Sequence, residues 1–172
     1  KRSDVLENPY LAGRVKRYHT WPVINEQTVA EHTFGVMLIY RLCFGTLPDW
    51  VAQYALQHDL GEIKTGDLPF PVKRDNDVLK KECDRVEREG ILNMGLTYAP
   101  LSDIEQTRFK ICDLFEMVEF AHVELMMGNR YAVPIWDDAV KALEELCATT
   151  HTHFPDHIST RLAVMITETY RK

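Results

Sequence analysis

The sequence predicts an all-α fold, a compact single-domain helical bundle over residues 1–172. Apolar residues recur at spacings of three, four and seven along most of the chain, which is the pattern of amphipathic helices. Residues that cap helices precede several of these segments. No stretch shows the alternation of a half-buried strand, and no repeat, linker or low-complexity tract divides the chain. A length of 172 residues also suits one domain.

The first predicted helix covers residues 28–44, where Val29, Val36 and Ile39 share one face and Thr28 with Glu31 forms a capping box. A second helix starts after Pro48 and Asp49. We expect it to run into His58 and Asp59 and to end before Gly61, because glycine marks helix ends.

Residues 65–76 form a predicted loop, because Gly66, Pro69 and Pro71 disfavour helix. A charged amphipathic helix follows at 77–95. The longest helix is predicted to begin at Ser102 or Asp103, to be mostly buried, and to end at Gly128–Asn129. Two shorter helices are expected near 137–148 and 156–170.

Composition narrows the function. The net charge of −6 disfavours a protein that binds a nucleic-acid polymer, but it permits a small phosphorylated ligand held by a few local cations. Four widely spaced cysteines form no C-x-x-C motif and predict reduced thiols. No apolar run reaches the roughly 20 residues of a membrane span. We therefore expect a cytoplasmic protein without membrane contact, in the host cytoplasm if a phage encodes it.

Four residues are candidate metal ligands: His32, the adjacent pair His58–Asp59, and Asp113. Asp113 lies between Cys112 and Leu114 in an apolar run, where a carboxylate must be paired, protonated or bound to a cation. Taken singly, each His is more often a hydrogen-bonded core residue, and Asp113 has Lys110 nearby. Together they interrupt apolar patterns on three helices, and a mixed nitrogen and oxygen set suits Zn, Co, Mn, Fe or Ni.

The chain resembles the HD-domain metal-dependent phosphohydrolases from about Gly13 to Glu124. The matching blocks are TVAEH ending in His32, HDLGE at 58–62, TGDLPFPVK at 65–73, and Asp113. The proline-containing block is similar to bacterial 5'-deoxynucleotidases, whereas the short chain and VKRYHT are similar to phage dATP triphosphohydrolases. The resemblance implies that a divalent metal ion is bound by four residues: His32, His58, Asp59 and Asp113. The possible metals are then Zn, Co, Mn, Fe, Ni and Mg.

Two further acids are candidate catalytic residues. Glu62 lies three residues after Asp59, so a continuing helix would place it on the same face, as a general base or acid. Its alternative is a solvated carboxylate paired with Lys64. Asp67 follows Gly66 in a loop, where it can bind a sugar hydroxyl or the leaving oxygen or orient a water molecule. Its alternative is an Asx-turn residue.

Substrate-binding candidates flank these motifs. Arg17 and Lys73 are predicted to bind phosphate, since a guanidinium grips it with two bonds and an ammonium neutralises charge. Tyr18 is the first choice for stacking on a base, and Trp21 is the second. Lys80 and Lys81 are predicted to lie on a solvated helix face. His151, His153 and His157 are predicted to lie in a polar turn between helices and not to form a second metal site.

The predicted reaction is metal-dependent hydrolysis of a deoxynucleotide, foremost dATP to deoxyadenosine and triphosphate. The alternatives are a 5'-deoxynucleotidase that releases orthophosphate from monophosphates and a non-catalytic module that binds metal and nucleotide. Relatives of this kind form closed oligomers, and apolar residues near a turn, Met126, Met127, Tyr131 and Trp136, need cover. A homo-oligomer, dimer or hexamer, is therefore expected.

Overall fold

The computed structural model describes residues 8–69, 72–73, 75–97 and 100–170, and it confirms the all-α fold. The helices are α1 (Pro9–Ala12), α2 (Val29–Phe44), α3 (Asp49–Gln57), α4 (Glu62–Thr65), α5 (Asp77–Asn93), α6 (Asp103–Met126), α7 (Val133–Thr150) and α8 (Asp156–Tyr170). A 3-10 turn, Arg130–Ala132, leads into α7. None of the described helices combines the length and apolar character of a membrane span.

Helix α6 is the centre of the bundle. It packs against α7, α2 and α8, and its side chains are buried on more than one face, including Ile111, Cys112, Phe115 and Val118. Because several faces of α6 are buried, its apolar residues do not form a single stripe in the sequence. Any polar residue that points inward from α6 therefore enters the core of the bundle.

Helix ends follow the predicted caps in most places. The capping box of Thr28 and Glu31 begins α2. Ser102, rather than Asp103, precedes α6, and its backbone N–H donates to Glu105 at 2.9 Å. Helix α8 has the predicted bounds, whereas α7 is longer than the predicted 137–148 because Pro134 is tolerated in its first turn.

Two differences from the sequence analysis concern the site. Helix α3 ends at Gln57, so Asp59 lies in a turn and Glu62 begins the separate helix α4. The pair lies at the helix C-terminus as predicted, with His58 as the C-cap residue, but the helix does not extend to Asp59. An antiparallel ladder also forms between β1 (Lys16–Arg17) and β2 (Gln27–Thr28), which pairs Arg17 with Gln27. Strands of two residues are too short to show any alternation.

The loop between β1 and β2 is tied to α6 by a buried carboxylate. Glu124 accepts hydrogen bonds from the backbone N–H groups of Ile24 at 2.7 Å and Asn25 at 2.8 Å. It also accepts one from the side-chain amide of Asn129 at 2.6 Å. Burial raises the pKa of Glu124, but the hydrogen bonds from these groups outweigh burial and lower it below its ordinary 4.5.

We predict that Glu124→Gln lowers the free energy of unfolding by about 1–3 kcal/mol at pH 7, because an amide nitrogen cannot accept a backbone N–H bond. The folded-state pKa lies below the unfolded value, so this stabilisation is present above pH 4.5 and is lost as the pH falls through the folded-state pKa. Denaturant unfolding of wild type and variant at several pH values measures the difference. A gap that persists unchanged at pH 3 would contradict the assignment, and exposed Glu144→Gln is the control.

Candidate active site

The four predicted metal ligands meet at one point in the fold. His32 lies in the first turns of α2 and is fully buried. Its Nε2 is 3.0 Å from Oδ1 of Asp113 on α6 and 3.5 Å from Oδ2 of Asp59. The same Asp59 oxygen is 3.3 Å from Nε2 of His58, which follows the last residue of α3. Elements far apart in sequence thus bring two imidazoles and two carboxylates together.

The two imidazoles are oriented for metal binding. Nδ1–H of His58 donates a hydrogen bond to the Ala55 carbonyl oxygen at 2.7 Å. Nδ1–H of His32 donates one to the Glu116 carboxylate at 2.5 Å. Both Nε2 atoms are buried, and neither has a hydrogen-bond partner among the described residues. Ligand atoms of His32, His58 and Asp59 lie within 4.8 Å of one another. Two bare nitrogens beside two carboxylates fit a divalent transition metal such as zinc.

The carboxylates of this cluster stay ionised. Burial alone raises the pKa of Asp59, but His58, His32 and Arg17 outweigh burial and lower it. Burial likewise raises the pKa of Asp113, and Lys110 with the two imidazoles lowers it well below its usual range. Lys110 contacts Asp113 at 2.6 Å, as the sequence suggested. The cluster therefore presents negative charge to a cation.

Glu62 is buried beside the cluster although its helix does not continue from α3. A turn hydrogen bond from its backbone N–H to the Asp59 carbonyl, 3.0 Å long, holds it near the ligands. Its Oε1 is 3.6 Å from Lys73 Nζ, and its Oε2 is buried with no hydrogen-bond partner among the described residues. Burial, with the charges of Asp59 and Asp67, raises the pKa of Glu62 to about 9.

Asp67 connects the loop after α4 to the residue that follows β1. Its Oδ2 accepts the backbone N–H of Tyr18 at 2.7 Å. Gly66 (φ 74°) and Tyr18 (φ 54°) both have positive φ values, and Tyr18 keeps this strained backbone while bonded to Asp67. Asp67 therefore positions the loop that carries the aromatic candidates, and it also lines the cavity described below.

The predicted phosphate ligands, Arg17 and Lys73, both line the site and come from different elements. Arg17 on β1 is buried, with Nη1 3.4 Å from both Glu116 and Gln27, and its Nε has no partner among the described residues. Lys73 is half-buried and donates to Glu87 at 3.2 Å. Glu87 comes this close because Gly61 has no side chain, since a Cβ there would lie 2.5 Å from the Glu87 carbonyl oxygen.

The two aromatic candidates differ in free surface. The Tyr18 ring stacks on Phe120 with centroids 4.4 Å apart, and the Arg17 guanidinium lies 5.3 Å from its centre. Only 8% of Tyr18 is exposed. Trp21 is half-buried and lines the cavity. Trp21 therefore offers more aromatic surface to a ligand, and the buried Tyr18 ring also lines the cavity.

A cavity of about 150 Å³ that opens to solvent contains most of these groups. Five carboxylates and three cations line it: Asp59, Glu62, Asp67, Asp113, Asp138, Arg17, Lys73 and Lys110. Met117 and Ile135 add apolar wall.

Sequence reasoning missed several of these residues. Glu116 follows Asp113 by three positions, so helical spacing was a usable signal. Asp138 and Ile135 on α7 had no signal, because only the packing of α7 on α6 brings them to the cavity. Lys80 and Lys81 are exposed as predicted. His151 and His153 lie between α7 and α8 as predicted, but the placement of His157 in the same turn was wrong, because His157 lies in the first turn of α8. Among the described residues, the His32 cluster is the group of three or more side chains close enough to hold a metal.

The amino-acid sequence matches the model of a known protein family. The 5'-deoxynucleotidase YfbR-like family matches residues 13–159. The chain belongs to this YfbR-like family. The resemblance to HD-domain phosphohydrolases is thereby confirmed, and the match extends past Glu124 into the C-terminal helices.

Two kinds of YfbR-like relatives are similar in sequence. A 5'-deoxynucleotidase of Vibrio cholerae is 33% identical over 86 residues, 43% of this chain and 44% of that protein. The dATP triphosphohydrolase of cyanophage S-2L is 28% identical over 144 residues, 74% of this chain and 77% of the phage protein. The chain thus spans less than half of the bacterial relative and about three quarters of the phage relative.

Solved structures agree on the fold. An HD-domain phosphohydrolase of Listeria innocua superposes with a TM-score of 0.69 at 19% identity, covering 95% of this chain and 87% of that one. The cyanophage S-2L HD phosphohydrolase, solved with dA and one catalytic Zn²⁺, superposes with a TM-score of 0.53 at 23% identity. The latter match covers 82% of this chain and 95% of the phage chain.

We predict that the protein binds one divalent metal ion per chain and that His58→Ala or Asp113→Ala removes it, because each change takes away a ligand. Metal content after dialysis against zinc, measured by mass spectrometry, checks this. His153→Ala is the matched control, since His153 is exposed and outside the cluster. Full zinc content in both ligand variants would refute the site.

Proposed function

We propose that the protein hydrolyses deoxynucleotides with a bound divalent metal ion, foremost dATP to deoxyadenosine and triphosphate. The observation that carries the proposal is the pair of bare imidazole nitrogens, His32 Nε2 and His58 Nε2, beside two carboxylates at a cavity that also contains Arg17 and Lys73. A structural metal site needs no such cavity. YfbR-like membership supports the same reaction class.

His32, His58, Asp59 and Asp113 would hold the metal. When bound, it supplies a Lewis acid that polarises the phosphate and lowers the pKa of water. Arg17 and Lys73 then counter the charge of the phosphate chain from two sides, Arg17 through its planar guanidinium and Lys73 through its ammonium. The phosphorus closest to the cluster is the one positioned for attack.

The proposed reaction breaks the bond between the α-phosphorus and the 5'-oxygen. A water oxygen adds to phosphorus, and the 5'-oxygen leaves with a proton as the nucleoside hydroxyl. Glu62 is placed to move that proton, since its Oε2 is buried, has no partner among the described residues and lines the cavity. Its raised pKa keeps it protonated in the metal-free protein, and a nearby cation lowers this pKa toward neutrality.

The nucleoside half of the substrate is assigned to Asp67, Tyr18 and Trp21. Asp67 accepts the Tyr18 N–H with one oxygen, and its other oxygen, which accepts no hydrogen bond from the described residues, would bind a 3'-hydroxyl. The rigid Tyr18 ring, stacked on Phe120, leaves little room for a 2'-hydroxyl and thereby favours deoxyribose. Trp21 provides the stacking surface for the base. The preference for adenine follows from similarity to the phage enzyme alone.

The charge of the cavity favours a second candidate, the 5'-deoxynucleotidase reaction on monophosphates. Carboxylates outnumber cations among the described lining residues. A divalent cation brings the site close to neutrality, which suits the smaller charge of a monophosphate better than that of a triphosphate. The Vibrio cholerae relative carries this activity in its name. The non-catalytic alternative leaves the buried Glu62 without a role.

We also propose that the protein is a homodimer in the cytoplasm, where its substrates occur. Trp136, predicted to need cover, is buried in the core, while Met126, Met127 and Tyr131 are exposed. A longer exposed apolar row lies on α2, at Phe34, Leu38 and Leu42. We propose that two copies of α2 pair antiparallel, with the two Val36 residues at the same level. Phe34 then lies near Leu38 of the second copy, and Glu31 lies near Arg41 of the second copy. Parallel pairing would oppose like charges.

The product test uses dATP, dAMP, dGTP and ATP at equal concentrations. We predict deoxyadenosine and triphosphate from dATP, and slower turnover of ATP because of its 2'-hydroxyl. Phosphorus NMR distinguishes triphosphate, pyrophosphate and orthophosphate. Pyrophosphate with dAMP would contradict attack at the ester phosphorus, and turnover of dAMP alone would assign the nucleotidase reaction.

Glu62→Gln is expected to lower kcat by about 10²-fold or more with zinc content unchanged, because an amide cannot transfer the proton. Glu82→Gln on the exposed face of α5 is the control for loss of a carboxylate. A near-normal rate for Glu62→Gln would show that Glu62 does not transfer the proton in the reaction.

Light scattering is expected to show a dimer at micromolar concentration. Arg41→Glu should weaken the dimer about 10-fold by opposing Glu31 of the second copy. A wild-type monomer, or an Arg41→Glu dimer as tight as that of wild type, would exclude this pairing.

A further inference from the structure

Glu116 is the most constrained polar side chain near the site that the proposed reaction does not use. We propose that Glu116 is a positioning residue that fixes the metal-binding tautomer of His32 and holds Arg17 in register with it. The part that concerns Arg17 rests on the proposed function, and the part that concerns His32 rests only on the metal cluster.

The contacts of Glu116 involve both of its oxygens. Oε2 is 2.5 Å from Nδ1 of His32 and 3.4 Å from Nη1 of Arg17. Oε1 accepts a hydrogen bond of 2.6 Å from the side-chain amide of Gln27. Glu116 is only 7% exposed, so water competes little for these bonds. One carboxylate thus joins α6 to α2 and to both strands of the small ladder.

The bond to Nδ1 decides which imidazole nitrogen is free. A carboxylate accepts and does not donate, so the His32 ring must carry its proton on Nδ1 and present an unprotonated Nε2 to the metal cluster. A carboxylate behind a ligating imidazole also raises its basicity, and loss of such a partner typically weakens metal binding 10–100-fold. His58 obtains the same orientation from the Ala55 carbonyl, which is neutral. His32 is therefore the imidazole whose basicity is raised by a charge.

Gly35 makes room for this carboxylate. It lies on α2 one turn after His32, and a Cβ at this position would lie 2.8 Å from Cγ of Glu116. Real Cβ atoms do not come so close to a neighbour, so the Glu116 side chain would have to move. Gly35→Ala therefore displaces the carboxylate without removing any charge, and alanine favours a helix more than glycine does.

The first experiment measures zinc affinity by competition with a chromophoric chelator, using the full chain. Glu116→Gln and Gly35→Ala are each expected to bind zinc at least 10-fold more weakly than wild type. Glu119→Gln is the control, because Glu119 lies on the same helix and pairs with Arg161 outside the cluster. Wild-type zinc affinity in both variants would overturn the proposal, whatever their thermal stability.

The second experiment observes the imidazole directly. In the zinc-loaded protein, nitrogen-15 NMR of labelled histidine is expected to show a His32 Nδ1–H proton shifted far downfield in wild type and moved upfield in Glu116→Gln. Zinc bound through Nδ1 of His32 in wild type would refute the tautomer assignment. Both experiments use only zinc, so they stand even if no deoxynucleotide is hydrolysed.

A third measurement tests the link to Arg17. With the deoxynucleotide that the product assay identifies, Glu116→Gln at saturating zinc should raise KM several-fold, because Arg17 loses a partner that holds it in place. A KM equal to that of wild type would limit the role of Glu116 to His32.

Discussion

The rest of the structure depends on one buried cluster in which two ionised carboxylates lie within 3.5 Å of two imidazole nitrogens that form no hydrogen bond with any described residue. Groups of this kind are costly to bury unless a cation or a hydrogen bond compensates them. The protein places them beside α6, where Asp113 of this central helix lies 3.0 Å from His32, and His32 lies 3.5 Å from Asp59. A bound divalent ion would convert this unfavourable arrangement into a net stabilising one.

Several irregular features make sense as supports for this cluster. The ladder of β1 and β2 contains only two residue pairs, yet it carries Arg17 to the site and Gln27 to Glu116. Glu124, which follows Glu116 on α6, fixes the loop between these strands by accepting a backbone hydrogen bond from Ile24. The break after α3 turns the chain so that Glu62 faces the cluster from a short helix of its own. Buried carboxylates of α6 thus organise loops that lack regular structure.

Sequence reasoning predicted the elements whose signals are local. Capping residues and apolar spacing indicated α2, α6 and α8 because these depend on neighbours three or four positions apart. The candidate ligands were recognisable in the sequence because His32 and Asp113 interrupt apolar faces, where a polar side chain must be paired or bound to a cation. The end of α3 was predicted only to within two residues, because propensity alone does not distinguish a helix that ends at Asp59 from one that ends at Gln57. Asp138 and the free surface of Trp21 depend on packing between distant helices, which no local pattern encodes.

Anomalous diffraction at the zinc absorption edge from crystals grown with zinc tests the central claim most directly. We predict one strong peak per chain, within about 2.0–2.2 Å of Nε2 of His32, Nε2 of His58 and one carboxylate oxygen each of Asp59 and Asp113. A peak bound through other atoms, or only at exposed histidines such as His153, would contradict it.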